Sequence, residues 1–244
     1  MISKTIIKFH IIQFFRDLSR VAFYLGAFIL FTALFVFTRY YAHLESFERF
    51  LFNKVFIFNI FICLILSAGI LGKEISSGFM NIILAKPVKK SSIYLSKYVA
   101  TLFFCTLLLL LFLLGIGLIT TLYHKQSFPL FSLLPILGVL LLDQISIIGA
   151  ATFISVWTPR EMNVSVMVFL IFIIVFLPNL PGLSLPYFLK QLVDFINPIK
   201  SVAIVKNLFA AKPLSFIFFL KYCIYVFLLF TAGIKLFNIK EIGR

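Results

Sequence analysis

Glu74 and Gly78 stand four residues apart at the start of a polar stretch, residues 73–97, that separates two long apolar runs. The stretch carries Lys73, Lys86, Lys89, Lys90 and Lys97. Its apolar residues Ile75, Phe79, Ile82 and Ile83 recur at i, i+4, i+7 and i+8. That spacing predicts a short amphipathic helix over 74–85. Glu74 falls in its first turn, where the positive end of the helix dipole favours a carboxylate. Gly78 costs roughly 1 kcal/mol relative to alanine inside a helix, so a structural reason is implied, either close approach of another chain or a kink. Pro87 ends the helix, because the residue before a proline avoids the α region. Ser91 or Ser92 can cap the next helix, and Lys97 sits at the entry to the next apolar run. The apolar face of this hairpin lies away from lipid, so a protein surface must cover it. A solvated loop tucked beneath its own helix bundle is the plainer alternative.

A second group of polar residues lies within the apolar runs. Asp143 and Gln144 are adjacent near the middle of one of them. A carboxylate at that depth costs at least ~2.5–3.5 kcal/mol on insertion scales, so it must face a bundle interior or a subunit interface. Two roles stay open: a polar point on a translocation path, or a helix-packing hydrogen bond made by a carboxylate or a protonated Asp. Lys221, in the last run, is the cation at comparable depth and a candidate partner for Asp143. Enzymatic chemistry finds little support. The sequence has no phosphate-binding G-x-x-x-x-G-K-[ST] loop, because Gly72-Lys73 lacks both the earlier glycine at the required spacing and the following hydroxyl. It has no H-E-x-x-H pair and no nucleophile elbow. His10, His43 and His124 are scattered, which argues against a metal centre. Cys63, Cys105 and Cys223 each sit inside an apolar run as small hydrophobes.

These residues are positioned by a chain built for lipid. Of 244 residues, 62% are hydrophobic, 12% are charged and 33 are Phe, whereas soluble domains are about one quarter charged. A spanning helix needs about 20 predominantly apolar residues, and six such runs are expected at 21–38, 50–72, 98–123, 131–156, 163–179 and 214–237. The fold class is therefore an all-α membrane protein forming a single transmembrane domain over residues 1–244. Ile7, Ile11, Phe14, Phe15 and Leu18 share one face of residues 3–19, with Lys8, Arg16 and Arg20 on another. Residues 1–20 thus read as an interfacial helix, and their distributed charges do not resemble a cleavable signal peptide. In segment 180–213, Pro186 and Asn197-Pro198 can each open a short helix. Lys190, Asp194, Lys200 and Lys206 favour interfacial or re-entrant helices on the outer side over a seventh span. The formal charge of +14 is dispersed between runs, which fits interfaces and anionic lipid and speaks against nucleic acid. With both termini inside, thirteen Lys and Arg fall on the cytoplasmic side and nine outside, the bias expected of short cytoplasmic loops.

The spacing Glu74-x-x-x-Gly78, an apolar stretch, Pro87-Val88 with basic residues and then Lys97 resembles the first cytoplasmic loop of ABC-2-type transporter permeases. The amphipathic N-terminus, the six runs and the interfacial segment before the last run are similar to that family too. Asn197-Pro198 resembles the subgroup that includes the accessory permease of nitrous-oxide reductase maturation. In that family the loop forms a coupling helix that docks into a groove of an ATPase subunit. The resemblance therefore implies ATPase-coupling roles for Glu74, Gly78, Phe79, Ile82, Pro87 and Lys97. It also implies two ABC ATPase subunits as partners, with ATP and Mg held by them and no cofactor in this chain, and a second permease subunit, identical or related. The implied function is that of a non-enzymatic permease subunit exporting a hydrophobic or amphipathic substrate across the plasma (inner) membrane. Ser76 and Ser77 depart from the acidic or Arg-rich surroundings common in the family, which bears on the docking contacts. Two other readings stand beside it. One is a non-transporting transducer that relays ATPase motion to a periplasmic or extracellular partner. The other, a membrane enzyme of lipid metabolism, is disfavoured by the lack of clustered polar residues at one interface.

Overall fold

A computed structural model describes residues 70–76, 88–124, 130–157 and 216–239, together with Gly78, Met80, Pro186, Tyr187 and single positions between 7 and 67. Among these residues the regular elements are all helices: α1 (Gly72–Ser76), α2 (Lys90–His124), α3 (Leu130–Trp157) and α4 (Phe216–Ile239). Three of them contain stretches long and apolar enough to cross a membrane, namely Lys90–Gly115, Leu137–Trp157 and Tyr222–Ile239. They answer to the runs expected at 98–123, 131–156 and 214–237. The described positions of the run at 50–72, from Val55 to Ser67, are helical as well. The runs at 21–38 and 163–179 lie outside the described residues apart from Gly26. So do segment 180–213, beyond exposed Pro186 and helical, exposed Tyr187, and most of residues 3–19, of which Ile7, Lys8 and Ile12 are helical.

Local sequence sets the start of α2. α2 begins eight residues before the expected start at 98. Its first turn is anchored by the Lys89 carbonyl, which accepts from the Ser92 N–H at 2.9 Å and the Ile93 N–H at 3.3 Å. Lys89 therefore occupies the cap position, and Ser91 and Ser92 lie inside the helix. At about 1.5 Å per residue, the 35 residues of α2 span roughly 50 Å, well beyond a hydrocarbon core of about 30 Å. The helix outlasts the membrane because nothing after Pro87 breaks it.

The three long helices pack around α3. Tyr222 of α4 donates to the Leu142 carbonyl of α3 at 2.8 Å, and Gly149 of α3 faces Leu229 of α4. The constant offset of these pairs makes α3 and α4 parallel. α2 runs against both: Lys90 donates to the Asn238 carbonyl at the end of α4 at 3.3 Å, while Tyr98 lies edge-on to Phe230, with ring centroids 4.4 Å apart. The start of α2, the ends of α3 and α4, and α1 thus meet at one end of the bundle. Lys90 there complements the negative C-terminal end of α4. The interior divides into a large cluster around Cys63, Leu109, Phe112, Leu140 and Ile148, and a smaller one at the α1 end built from Leu71, Met80, Ile93, Tyr94, Val156 and Phe237. Tyr94 fits because residue 233 is glycine: a Cβ there would lie 2.7 Å from the ring Cζ. Among the three long described helices α4 is the least buried, with 17% of its membrane stretch buried against 44% for α2 and α3. Leu220, Ile224, Phe227 and Leu228 form its exposed apolar stripe. Four hydroxyl groups inside the helices are satisfied by their own backbone: Ser67 donates to the Cys63 carbonyl, Thr101 to Lys97 at 3.1 Å, Thr152 to Ile148 at 2.6 Å and Thr231 to Phe227 at 2.9 Å.

Candidate functional site

The polar connector begins as a fixed part of the bundle. Ile70 and Leu71 form a turn, with the Ile70 N–H donating to the Ser67 carbonyl at 3.3 Å, and α1 starts at Gly72. The first N–H groups of a helix have no partner within it. Here Ser155 of α3 supplies one, its Oγ accepting from the Leu71 N–H and the Gly72 N–H, each at 2.9 Å. Beside this contact Leu71 and Val156, both fully buried, share the smaller cluster.

Glu74 lies in the first turn of α1, as expected, and faces inward. It forms an ion pair with Lys97, one residue short of the expected start of the next run and already inside α2. Lys97 is 1% exposed and Glu74 is buried too. Taking two charges out of water costs several kcal/mol each, which a tight ion pair offsets only through close geometry and further hydrogen bonds. The pair therefore fixes α1 against α2. Sequence marks both residues without pairing them.

α1 ends at Ser76. The Gly78 N–H donates to the Ile75 carbonyl at 3.3 Å, and Gly78 takes a φ of 72°. That left-handed conformation is the usual way to terminate a helix and is costly for any residue with a Cβ. A single helix over 74–85 is accordingly not what forms: the chain breaks at Gly78. The positive φ accounts for the glycine as a break in the helix, and a Cβ there would meet nothing within 4 Å among the described residues. Met80, beyond the break, is helical and fully buried. Phe79, Ile82 and Pro87 lie outside the described residues.

The second candidate group forms a buried polar layer. Gln144 is fully buried and joins three helices. Its Nε2 donates to Asn59 Oδ1 at 2.7 Å, and its Oε1 accepts from Thr106 of α2 at 2.9 Å. Asn59 in turn donates to the Leu140 carbonyl at 3.1 Å. Asp143 is 4% exposed, and its own carbonyl accepts from Ser146 at 3.0 Å. Tyr98 and Tyr222 seal the flanks by donating to the carbonyls of Ile145 and Leu142. Position 221 in α4 is level with Asp143, next to the Tyr222–Leu142 contact; the side chain of Lys221 lies outside the described set. Among the described residues no three His, Cys, Asp or Glu side chains gather as metal ligands.

Sequence reading missed Ser155, Asn59 and Thr106. A polar residue within an apolar run was the available signal for Asn59, whereas Ser155 and Thr106 carry none, since hydroxyl residues are ordinary in membrane helices.

The arrangement is a short helix clamped to two bundle helices at one end and a polar layer deeper within. A protein-family model described as "Multidrug efflux system permease Rv1217c, C-terminal domain" matches residues 21–217 of the chain. The match begins where the first apolar run begins. A search of curated proteins finds no match.

Proposed function

The chain belongs to the multidrug efflux system permease family, and from that premise we propose that it is the membrane subunit of an ATP-driven exporter. In this reading six spans cross the plasma (inner) membrane with both termini in the cytoplasm. Two permease subunits, identical or related, pair above two ABC ATPase subunits, which hold ATP and Mg. The cargo is hydrophobic or amphipathic, as the Phe-rich, charge-poor spans favour.

The observation that carries the coupling proposal is the ion pair between Glu74 and Lys97. It makes the start of a polar connector mechanically continuous with the bundle, which a passive loop does not require. A motor can drive a permease only if the two make different contacts in different nucleotide states. In this proposal those contacts are made by the connector beyond Gly78, around Phe79, Ile82 and Pro87, and transmitted through α1.

Affinity purification of the full chain from its own membranes, followed by ATP hydrolysis and ethidium export measurements, tests this. The wild-type chain is expected to bring down an ABC ATPase and to export the dye. Glu74→Gln and Gly78→Val are expected to keep membrane insertion and bound ATPase but to lower export per ATP hydrolysed by about tenfold. Normal export by both variants removes the case for the connector. ATP-dependent conformational change in a wild-type complex that exports nothing would instead favour the transducer.

A further inference from the structure

We propose that Ser155 is a positioning residue of the permease, tying the connector to α3 so that connector movement reaches the polar layer at Gln144. The inference rests on the reading of the connector as the segment an ATPase moves.

Ser155 is fully buried. Its oxygen accepts two backbone N–H groups, Leu71 and Gly72, at 2.9 Å each. A hydroxyl oxygen has two lone pairs, so its acceptor capacity is filled by the start of α1. Few side chains hold a backbone so firmly: both donors belong to the main chain and cannot rotate away. With the Glu74–Lys97 pair one turn later, residues 71–74 are fastened to α3 and to α2 by separate polar ties.

The other end of the tie runs along α3. Leu140, Gln144, Ile148, Ala151, Thr152 and Ser155 are all 1% exposed or less, and their spacing places them on one stripe of the helix. Ser155 and Gln144 are three turns apart on that stripe, roughly 16 Å along the axis. An α-helix held at both ends by hydrogen bonds carries a displacement along its length. At the Gln144 end the recipients are Asn59 and Thr106, so a shift of α3 changes how three helices meet. Gly78, with its φ of 72°, ends the helical part of this fastened piece, and Met80 beyond it is buried in the same cluster as Leu71.

The test uses the full chain with its co-purified ATPase and three variants. Ser155→Ala removes the acceptor. Ser155→Cys keeps the size but is a poor acceptor, and decides the matter if the alanine variant fails to accumulate. Ser155→Thr retains the hydroxyl. Ethidium export and ATP hydrolysis are measured on the same preparation. We expect Ser155→Ala and Ser155→Cys to keep their ATPase and to lose about tenfold in dye exported per ATP, with Ser155→Thr close to wild type. A merely structural role would lower protein amount and both rates together, leaving their ratio unchanged; that result, or a wild-type ratio in Ser155→Cys, overturns the inference. A wild-type chain that brings down no ATPase overturns the premise instead.

Discussion

Lys97 is the most deeply buried charge among the described residues, and its environment makes a definite demand. Removing one member of a buried ion pair costs about 3–5 kcal/mol because the other charge loses its counterion. Lys97→Met is therefore expected to lower the melting temperature of the purified protein sharply, and combining it with Glu74→Gln to recover much of the loss; thermal unfolding in detergent measures both. Gly233 makes the opposite kind of demand, for space. A Cβ would press on the Tyr94 ring, which is fully buried. Gly233→Ala is expected to destabilise by about 1–3 kcal/mol, as overpacking does. Trimming the ring in the double variant Gly233→Ala, Tyr94→Leu should restore part of it, read by the same unfolding curve. Residue types were legible here and residue partners were not. Glu74, Gly78, Lys97, Asp143 and Gln144 stand out against an apolar background, but Glu74 meets Lys97, and Gln144 meets Asn59 and Thr106, only because helices cross at particular points. No one-dimensional spacing encodes those crossings.

At the scale of elements, α2, α3 and α4 were legible because each fills a membrane thickness with apolar residues. The described extents of α3 and α4 fall within two residues of the expected 131–156 and 214–237, and the exception is the start of α2. α2 starts early because Ser91, Ser92 and Lys97 are compatible with a helix, so hydropathy marks the lipid boundary and not the helix boundary. The connector shows the converse failure. Ile75, Phe79, Ile82 and Ile83 keep helical spacing through Gly78, yet the backbone there turns left-handed, and period alone cannot reveal a reversed φ. Packing of the run at 50–72 against α2 can be checked directly. Cys63 and Cys105 are free, buried and members of the same core cluster. Treatment of membranes with mercuric ion, which bridges two thiols, is expected to join residues 63 and 105, detected as a linked peptide pair after proteolysis. Cys63→Ser should abolish the link, and its absence in the wild type would mean the two helices do not cross there.

For the whole molecule, the antiparallel course of α2 against α3 and α4 brings the connector, the end of α3 and the end of α4 to one end of the bundle. The chain's single tryptophan, Trp157, is exposed at that end, where aromatic side chains favour the membrane–water interface. In vesicles, lipids brominated near the headgroup are expected to quench its emission more strongly than lipids brominated near the chain terminus. The reverse order would move the bundle end into the hydrocarbon and displace the connector from water. Family membership matches this architecture at the level of a permease, and ABC coupling stands or falls with the co-purified ATPase and the export ratio.

The hydroxyl groups of Ser67, Thr101, Thr152 and Thr231 each spend their proton on a carbonyl one turn earlier in the same helix. Such groups are invisible to a passing solute: they offer it no donor and cost nothing in oil. Hydroxyl letters along these helices therefore do not by themselves mark a water route. The side-chain contacts that join one described helix to another gather instead around Gln144 and at the Glu74–Lys97 pair.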